Sequence, residues 1–485
     1  MNIRSLLFLL IAIFIFAACS RTETVVVRDQ AQTASTATPS EDSPAVQDPI
    51  TLTIGEIEKV YSFDPLFALN AASKRIAGLV YDRLVNLDED ENIVPMLAES
   101  WEVSDDSLEY VFKLRNDAFF HDDDVFAAGR GRRVTASDVK LMFIRMAGHD
   151  VPRYGAEMFL DSIVGFDAFH RQENFTFFTE EAVLDEISGI YVIDDRTISF
   201  ELYEPDDAFL RNLASPLASV YPYEVFRERA TGLHQEPVGS GRFMFDYATA
   251  DSIISLQRNF NYFDQESISR NLTSIELRII RDESRLFRNL VTNTIDLIPE
   301  AGPLTMRTLV DSSGENLAPG YAGDYRLYHT GNSSVYMFLP GHDAELHPDL
   351  SEIFKSEPFL NTFPQSAQIT IFDEFNSDRE SDSELNNEHF RIGFSPSPLS
   401  RYAAQSFGTI FKNSSEITPR LYLARSSNRD FDMLFSDGTM FKHGDFTKFG
   451  TMQLNRTGVS RNALHGLKMN SSGWWISFES LDIQS

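Results

Sequence analysis

The chain has 485 residues, 42% of them apolar, with 72 acidic against 42 basic side chains and a formal net charge of −30. That balance argues against nucleic acid as a partner, because phosphate recognition needs concentrated Lys and Arg. It serves solubility and is compatible with cationic or zwitterionic ligands. The length beyond Ile50 suffices for a large core divided into two or three domains.

At the N-terminus, Arg4 precedes an apolar run from Leu6 to Phe16 and then Ala17-Ala18-Cys19. This is the layout of a secretory signal, and the run is too short for a membrane span. The small residues before Cys19 resemble a bacterial lipobox, with Phe16 where Leu is most often found. Cys19 is the single cysteine of the chain, so the expectation is a signal peptide over 1–18, lipidation of Cys19, and anchoring by lipid rather than by a span. Residues 20–48 contain mostly Thr, Ser, Ala, Gln, Pro and Asp, with almost no large apolar side chain after Val27. They cannot bury enough surface to offset their ordering entropy, so 19–49 reads as a lipidated cysteine on a flexible tether.

Ile50 to Ile54 has the character of a strand, Ser62-Phe-Asp-Pro65 that of a turn, and a helix is expected through Leu79 and Tyr81. After a strand over Leu84 to Leu87, Asp88, Asp90, Asn92 and Glu99 take calcium-loop spacing. Ile93 and Pro95 stand where that loop needs Gly and a pairing strand, so an acidic hairpin turn is the better reading. Leu108, Tyr110, Phe112 and Leu114 alternate with Glu109, Val111 and Lys113, the period of a half-buried strand. Thr135-Ala-Ser-Asp138 then looks like a helix start, with Thr135 as N-cap and Asp138 near the positive end of the dipole. His121 beside Asp122, Asp123 and Asp124 lacks a second His at ligand spacing, and His342 and His347 miss the i,i+4 face of a zincin helix. Gly239 and Gly241 lack the third glycine and the following helix of a phosphate loop, which leaves a turn between strands.

Leu272 to Ile280 alternates as a strand. Between about 340 and 390, Pro340, Pro348, Pro358 and Pro364 with the polar run Asn376 to Asn387 read as loop. Strands are expected at Phe390 to Phe394 and Asp430 to Phe435, and a helix at Tyr402 to Phe411. No Gly-x-Ser-x-Gly elbow, His-Glu-x-x-His helix or Gly-Lys-Ser loop occurs. The expectation is a protein that is not an enzyme and carries no cofactor or metal.

Pro95-Met-Leu-Ala-Glu-Ser-Trp101, Tyr110-Val-Phe-Lys-Leu-Arg115, Phe119-Phe-His-Asp122 and Val134-Thr-Ala-Ser-Asp-Val139 closely resemble, in this order, the signature of the family 5 extracellular solute-binding proteins. These are the oligopeptide- and dipeptide-binding components of ABC importers. Asp123 stands where that signature has Gly, and Val125 to Arg133 lengthens the following loop. Pro237 to Phe245, Asn261-Tyr-Phe263, Leu290 to Ile298 and Asp430 to Phe435 extend the resemblance more weakly. The Trp usual after the last of these is missing, and the middle lacks the usual helix, which implies a divergent or shortened second lobe.

The resemblance implies an α/β, two-lobed periplasmic-binding-protein-like fold of class II type, with mixed sheets and an interlobe ligand cleft. Lobe I would cover 50–270, with an inserted subdomain at about 76–215, lobe II 271–455, and a C-terminal segment 456–485. The implied function is that of a monomeric substrate-binding lipoprotein in the cell envelope, capturing a peptide or similar small solute and delivering it to an ABC permease. The alternative is a degenerate relative acting as an envelope interaction or sensory lipoprotein without transport, favoured by the missing Trp and the disrupted middle. By position, the ligand-binding candidates are Glu58, Lys59, Val60 and Tyr61 before the first turn, Tyr154 after the capped helix, and Asp437 or Asp445 after the late strand. One of the two aspartates would receive the ligand's amino group.

Overall fold

The computed structural model describes residues 49–175, 186–249, 252–311, 316–340, 348–363, 368–371, 389–394, 398–414, 418–423, 433–436, 446–470 and 474–483. The expectations for 1–18, Cys19, His342, His347 and the run Asn376 to Asn387 fall outside them.

Strand β1 (Ile50–Glu56) leads through a turn into helix α1 (Ala71–Val80), then into the hairpin β2 (Val85–Leu87) and β3 (Ile93–Pro95). A four-stranded antiparallel sheet follows, built from β4 (Ala98–Val103), β5 (Glu109–Leu114), β6 (Ile190–Asp194) and β7 (Thr197–Glu201) in the order β4-β5-β7-β6. Its alternation is the one expected: Tyr110, Phe112 and Leu114 are buried, and Glu109 and Lys113 face water. Against the buried face lies α2 (Ala136–Ala147), begun by Thr135 and Asp138 in a reciprocal capping box. The Asp138 carboxylate takes the Thr135 N–H at 2.9 Å and both terminal nitrogens of Arg132 at 2.7 Å. Phe112, Phe143, Phe159, Phe166, Phe200 and Phe209 fill the space between sheet and helices, with Phe143 and Phe200 centroids 5.2 Å apart. Each such ring contributes roughly 1.5–3 kcal/mol by burial.

The chain then returns to β1. Strands β8 (Phe243–Thr249), β9 (Ile253–Arg258) and β10 (Leu272–Ile279) are followed by α3 (Glu283–Val291) and β11 (Leu297–Ile298). β1 runs parallel to β10 on one side and to β11 on the other. Covered on both faces, it buries Leu52 and Ile54 completely, as a central parallel strand must.

Two long strands, β12 (Tyr325–Pro340) and, after β13 (Gln368–Ile371), β14 (His389–Phe394), helix α4 (Pro398–Ser414), β15 (Thr418–Leu423) and β16 (Met433–Ser436), β17 (Phe446–Arg461), join two lobes. The large sheet has the order β15-β14-β16-β12-β17-β11-β1-β10-β9-β8, with β13 also on β17. Two cores lie on the β1 half of that sheet. One reaches from Leu52 to Leu297 and takes in Leu464 to Leu481; the other lies around α3 and includes Tyr325 and Val459. A separate core of Val335, Met337, Phe407, Met433 and Met452 belongs to the far half. β12 and β17 pass from one half to the other, and their pairing register breaks between His329 and Asn332, between the near and far cores. The near half of the sheet therefore extends through the boundary expected at 270, since β10 buries Leu272, Ile275 and Leu277 beside β1.

Two local readings are corrected. Residues 348–360 are not loop: they form helices Pro348–Lys355 and Glu357–Leu360, which bury Leu350, Ile353, Phe354 and Phe359. Pro348 and Pro358 sit in first turns, where a missing N–H costs nothing because it would have no helical partner. Gly239 and Gly241 do not join two strands, because they follow the helix Glu224–Glu228 and lie against the end of α1. A Cβ on Gly239 would stand 2.0 Å from the Val80 carbonyl oxygen, and one on Gly241 2.5 Å from that of Leu79. Here the glycines serve close backbone approach.

Candidate functional site

Central parallel strands place their outgoing loops at one edge of a sheet, where α/β proteins hold ligands. β1 ends at Glu56, and residues 57–61 leave it without regular structure. Glu56 and Arg75, on α1, form a bidentate pair with both distances 2.6 Å, at 3% and 2% exposure. Burial works to lower the Arg75 guanidinium, and the Glu56 carboxylate, aided by Glu300 and Glu58, more than offsets it and holds the group above its ordinary value. The pair fixes the point from which the loop departs.

The far end of the loop is held by a second network. Ser62 Oγ lies 2.7 Å from His234 Nδ1 and accepts the Asp64 N–H at 3.0 Å. Asp64 is fully buried and takes the N–H of Leu66 at 3.1 Å and both terminal nitrogens of Arg145, from the last turn of α2. The Tyr221 hydroxyl is 3.2 Å from Arg145, and burial pushes that phenol up to about 12. Tyr81 donates to the Phe63 carbonyl at 3.1 Å, with its phenol likewise raised by burial.

Between these ends lie the expected ligand-binding residues. Val60 packs on the first core, and Tyr61 is 71% exposed with Lys59 Nζ 5.9 Å from its ring. Among the described residues, no hydrogen bond reaches the main-chain N–H or C=O of Val60 or Tyr61. Tyr154 opens the short helix Tyr154–Glu157, and its neighbour Gly155 lies against Leu66, so close that an added Cβ would be 3.5 Å from that side chain. Gly155 thus lies beside the helical turn Pro65–Phe67, and Tyr154, 37% exposed, precedes it in the chain. Asp437 and Asp445 lie outside the described residues. Their flanks are β16, whose Ser436 pairs with Tyr336, and β17, whose Phe446 pairs with Pro340.

Sequence reasoning did not find Arg75, Asn70, His234 or Arg145. Asn70 carried the one local signal, a capping residue directly before a helical run. The others act on partners between 19 and 172 residues away.

The metal-like clusters resolve into structural roles. Asp88 accepts from the Asn92 side-chain amide at 3.1 Å and from the N–H of Asn92 and Asp90 at 2.8 and 2.9 Å and closes the acidic β2–β3 turn, hydrogen bonds that lower its carboxyl. Glu99 pairs with Arg196 at 3.0 Å. His121 Nε2 is 2.9 Å from the Gly241 carbonyl oxygen, and burial lowers the imidazole to about 4, so it stays neutral and donates there. No cluster of three or more metal-ligating side chains occurs among the described residues.

Residues 92–356 match the bacterial extracellular solute-binding proteins, family 5 Middle. The chain belongs to this family. Di/tripeptide-binding protein 1 of Pseudomonas aeruginosa (strain UCBPP-PA14) is 32% identical over 235 residues, 47% of this chain and 38% of that protein. A probable ABC transporter periplasmic-binding protein, SapA of Escherichia coli (strain K12), is 31% identical over 194 residues, 39% of this chain and 32% of the relative. The chain thus matches about a third of the length of these curated relatives, 38% of one and 32% of the other. In structure it resembles the Escherichia coli murein tripeptide binding protein MppA, with a TM-score of 0.69 over 90% of this chain and 99% of the other. At 14% identity that likeness carries the fold alone. The fold of this family 5 protein is the expected α/β, two-lobed binding-protein architecture with mixed sheets.

Proposed function

We propose that this family 5 protein is the substrate-binding lipoprotein of an ABC-type importer, taking short peptides in the cleft between its lobes and delivering them to the permease. Glu58–Tyr61 and Tyr154 serve the first lobe's side of the cleft, and Asp437 or Asp445 the second's. The observation that carries the reading is the open main chain at Val60 and Tyr61, at the outgoing end of the central parallel strand. Extended peptides are bound in this way when their backbone adds to an exposed edge, with side chains left to shape-selective contacts. The register break shared by β12 and β17 gives the lobes a place to bend.

A panel of di-, tri- and tetraalanine tests the reading. A peptide at a hundred times its Kd contributes about 2.7 kcal/mol, so the melting temperature should rise by several degrees, and the radius of gyration in solution scattering should fall as the lobes close. No shift with any peptide in this panel and a broader library would favour the envelope-interaction alternative. The anchor belongs to the same proposal: wild-type protein should partition into detergent and Cys19→Ala into the aqueous phase. Mature wild-type protein without an acyl mass on Cys19 would refute it.

A further inference from the structure

We propose that Asn70 is a positioning residue for ligand binding, holding the Glu58–Tyr61 segment in its ligand-ready course while it caps α1. This rests on the reading that the segment contacts the ligand. The Asn70 amide uses both of its ends. Its Oδ1 accepts the Ser73 N–H at 2.9 Å, the N-cap bond of α1, and its Nδ2 donates to the Lys59 carbonyl at 2.9 Å. Each bond fixes the orientation of the other, because a flipped amide would lose both. Asp or Ser would cap the helix about as well. Neither can accept from Ser73 and offer an amide donor to Lys59 together.

The need for that donor follows from how the segment is tied. Its start is fixed by Glu56 on Arg75, and its end by Ser62 on His234. Residues 57–61 between them have no strand or helix ladder, and the Asn70 clasp falls at Lys59, immediately before the open main chain of Val60 and Tyr61. Asn70 and Arg75 both belong to α1 and its cap, so one rigid helix sets the start and the middle of the segment. A backbone edge that must pair with a peptide gains affinity from being ordered before the peptide arrives. Removing the clasp moves that ordering cost into the binding step.

The test separates the cap from the clasp. Asn70→Asp and Asn70→Ser keep the capping acceptor and remove the amide donor, and together they control for the added charge. With the alanine peptide that wild type binds most tightly, both variants should bind roughly three- to tenfold more weakly, the worth of one neutral hydrogen bond. Their melting temperatures without peptide should match wild type, and backbone NMR order parameters should fall at Lys59 to Tyr61 alone. Affinity equal to wild type in both variants, while Tyr61→Pro, which removes a main-chain donor of the edge, weakens binding, would overturn the positioning role and leave the ligand segment in place. Unchanged affinity in all three variants would remove the segment from the ligand site and overturn the parent reading. A loss of melting temperature in parallel with affinity would reduce Asn70 to a structural cap and overturn the proposal.

Discussion

Arg75→Met is expected to destabilise the protein by about 3–5 kcal/mol, the usual cost of stranding one partner of a buried ion pair. The reason is geometric. Glu56 is 3% exposed and directs both carboxylate oxygens at the Arg75 guanidinium, so the substitution leaves a carboxylate that water cannot reach and that has lost its strongest partner. Glu300 and Glu58, which also raise Arg75, would then repel Glu56 without the cation between them. Glu56→Gln is expected to cost somewhat less, since the amide still offers one acceptor to the guanidinium. The double variant Glu56→Gln/Arg75→Met should recover much of the loss, because a buried pair replaced as a unit by apolar and neutral groups is often close to neutral. Urea unfolding of the four proteins closes the cycle, and a favourable coupling energy of at least 1 kcal/mol is expected for two groups in direct contact. A loss below 1 kcal/mol for Arg75→Met alone would show that the site relaxes or hydrates, and that the pair does not anchor the end of β1.

How much of this was legible in the sequence follows the distance over which each signal acts. The alternation at Tyr110, Phe112 and Leu114 and the Thr135–Asp138 box are set by neighbours within a turn or a strand, and both stand in the structure as read. The proline-marked region around Pro348 and Pro358 was misread because proline marks a helix start as readily as a loop, and what decides between them is the burial of Phe354 and Phe359 in a core assembled from distant strands. Gly239 and Gly241 read as a turn between strands rather than a phosphate site, whereas they follow a helix, Glu224–Glu228. Their true contact, the carbonyls ending α1, could not be found without the packing. The candidate site divides in the same way. Glu58–Tyr61 could be placed by the turn that follows, whereas the groups that hold it, Arg75, His234 and Arg145, reach it across 19, 172 and 81 positions. No local pattern records those pairings, because they exist only once β1, α1 and α2 are stacked.

Acetylating the α-amino group of a bound alanine peptide is expected to weaken its binding by well over tenfold. In the proposed complex the ammonium is received by a carboxylate of the second lobe, with Asp445 first and Asp437 second by sequence position. Closure of the lobes would partly desolvate that pair, and leaving one member of such a pair alone costs roughly 2–5 kcal/mol. At about 1.4 kcal/mol per tenfold, even the lower bound exceeds a factor of ten. The net charge of −30 cannot produce this by itself. Exposed charges more than about 8–10 Å away are largely screened at physiological salt, so a diffuse acidic surface would give a preference that fades as salt is added, and a contact pair one that largely persists. Isothermal titration of free and acetylated trialanine at low and high salt separates the two. Asp445→Asn should then abolish most of the preference for the free amine while leaving the acetylated peptide's affinity nearly unchanged, since that peptide has no charge to lose. A preference that survives Asp445→Asn and disappears in Asp437→Asn would move the role between the two aspartates. Equal affinity for free and acetylated peptides in the wild-type protein would remove amino-group recognition from the mechanism and leave the main-chain edge at Val60 and Tyr61 as the source of affinity.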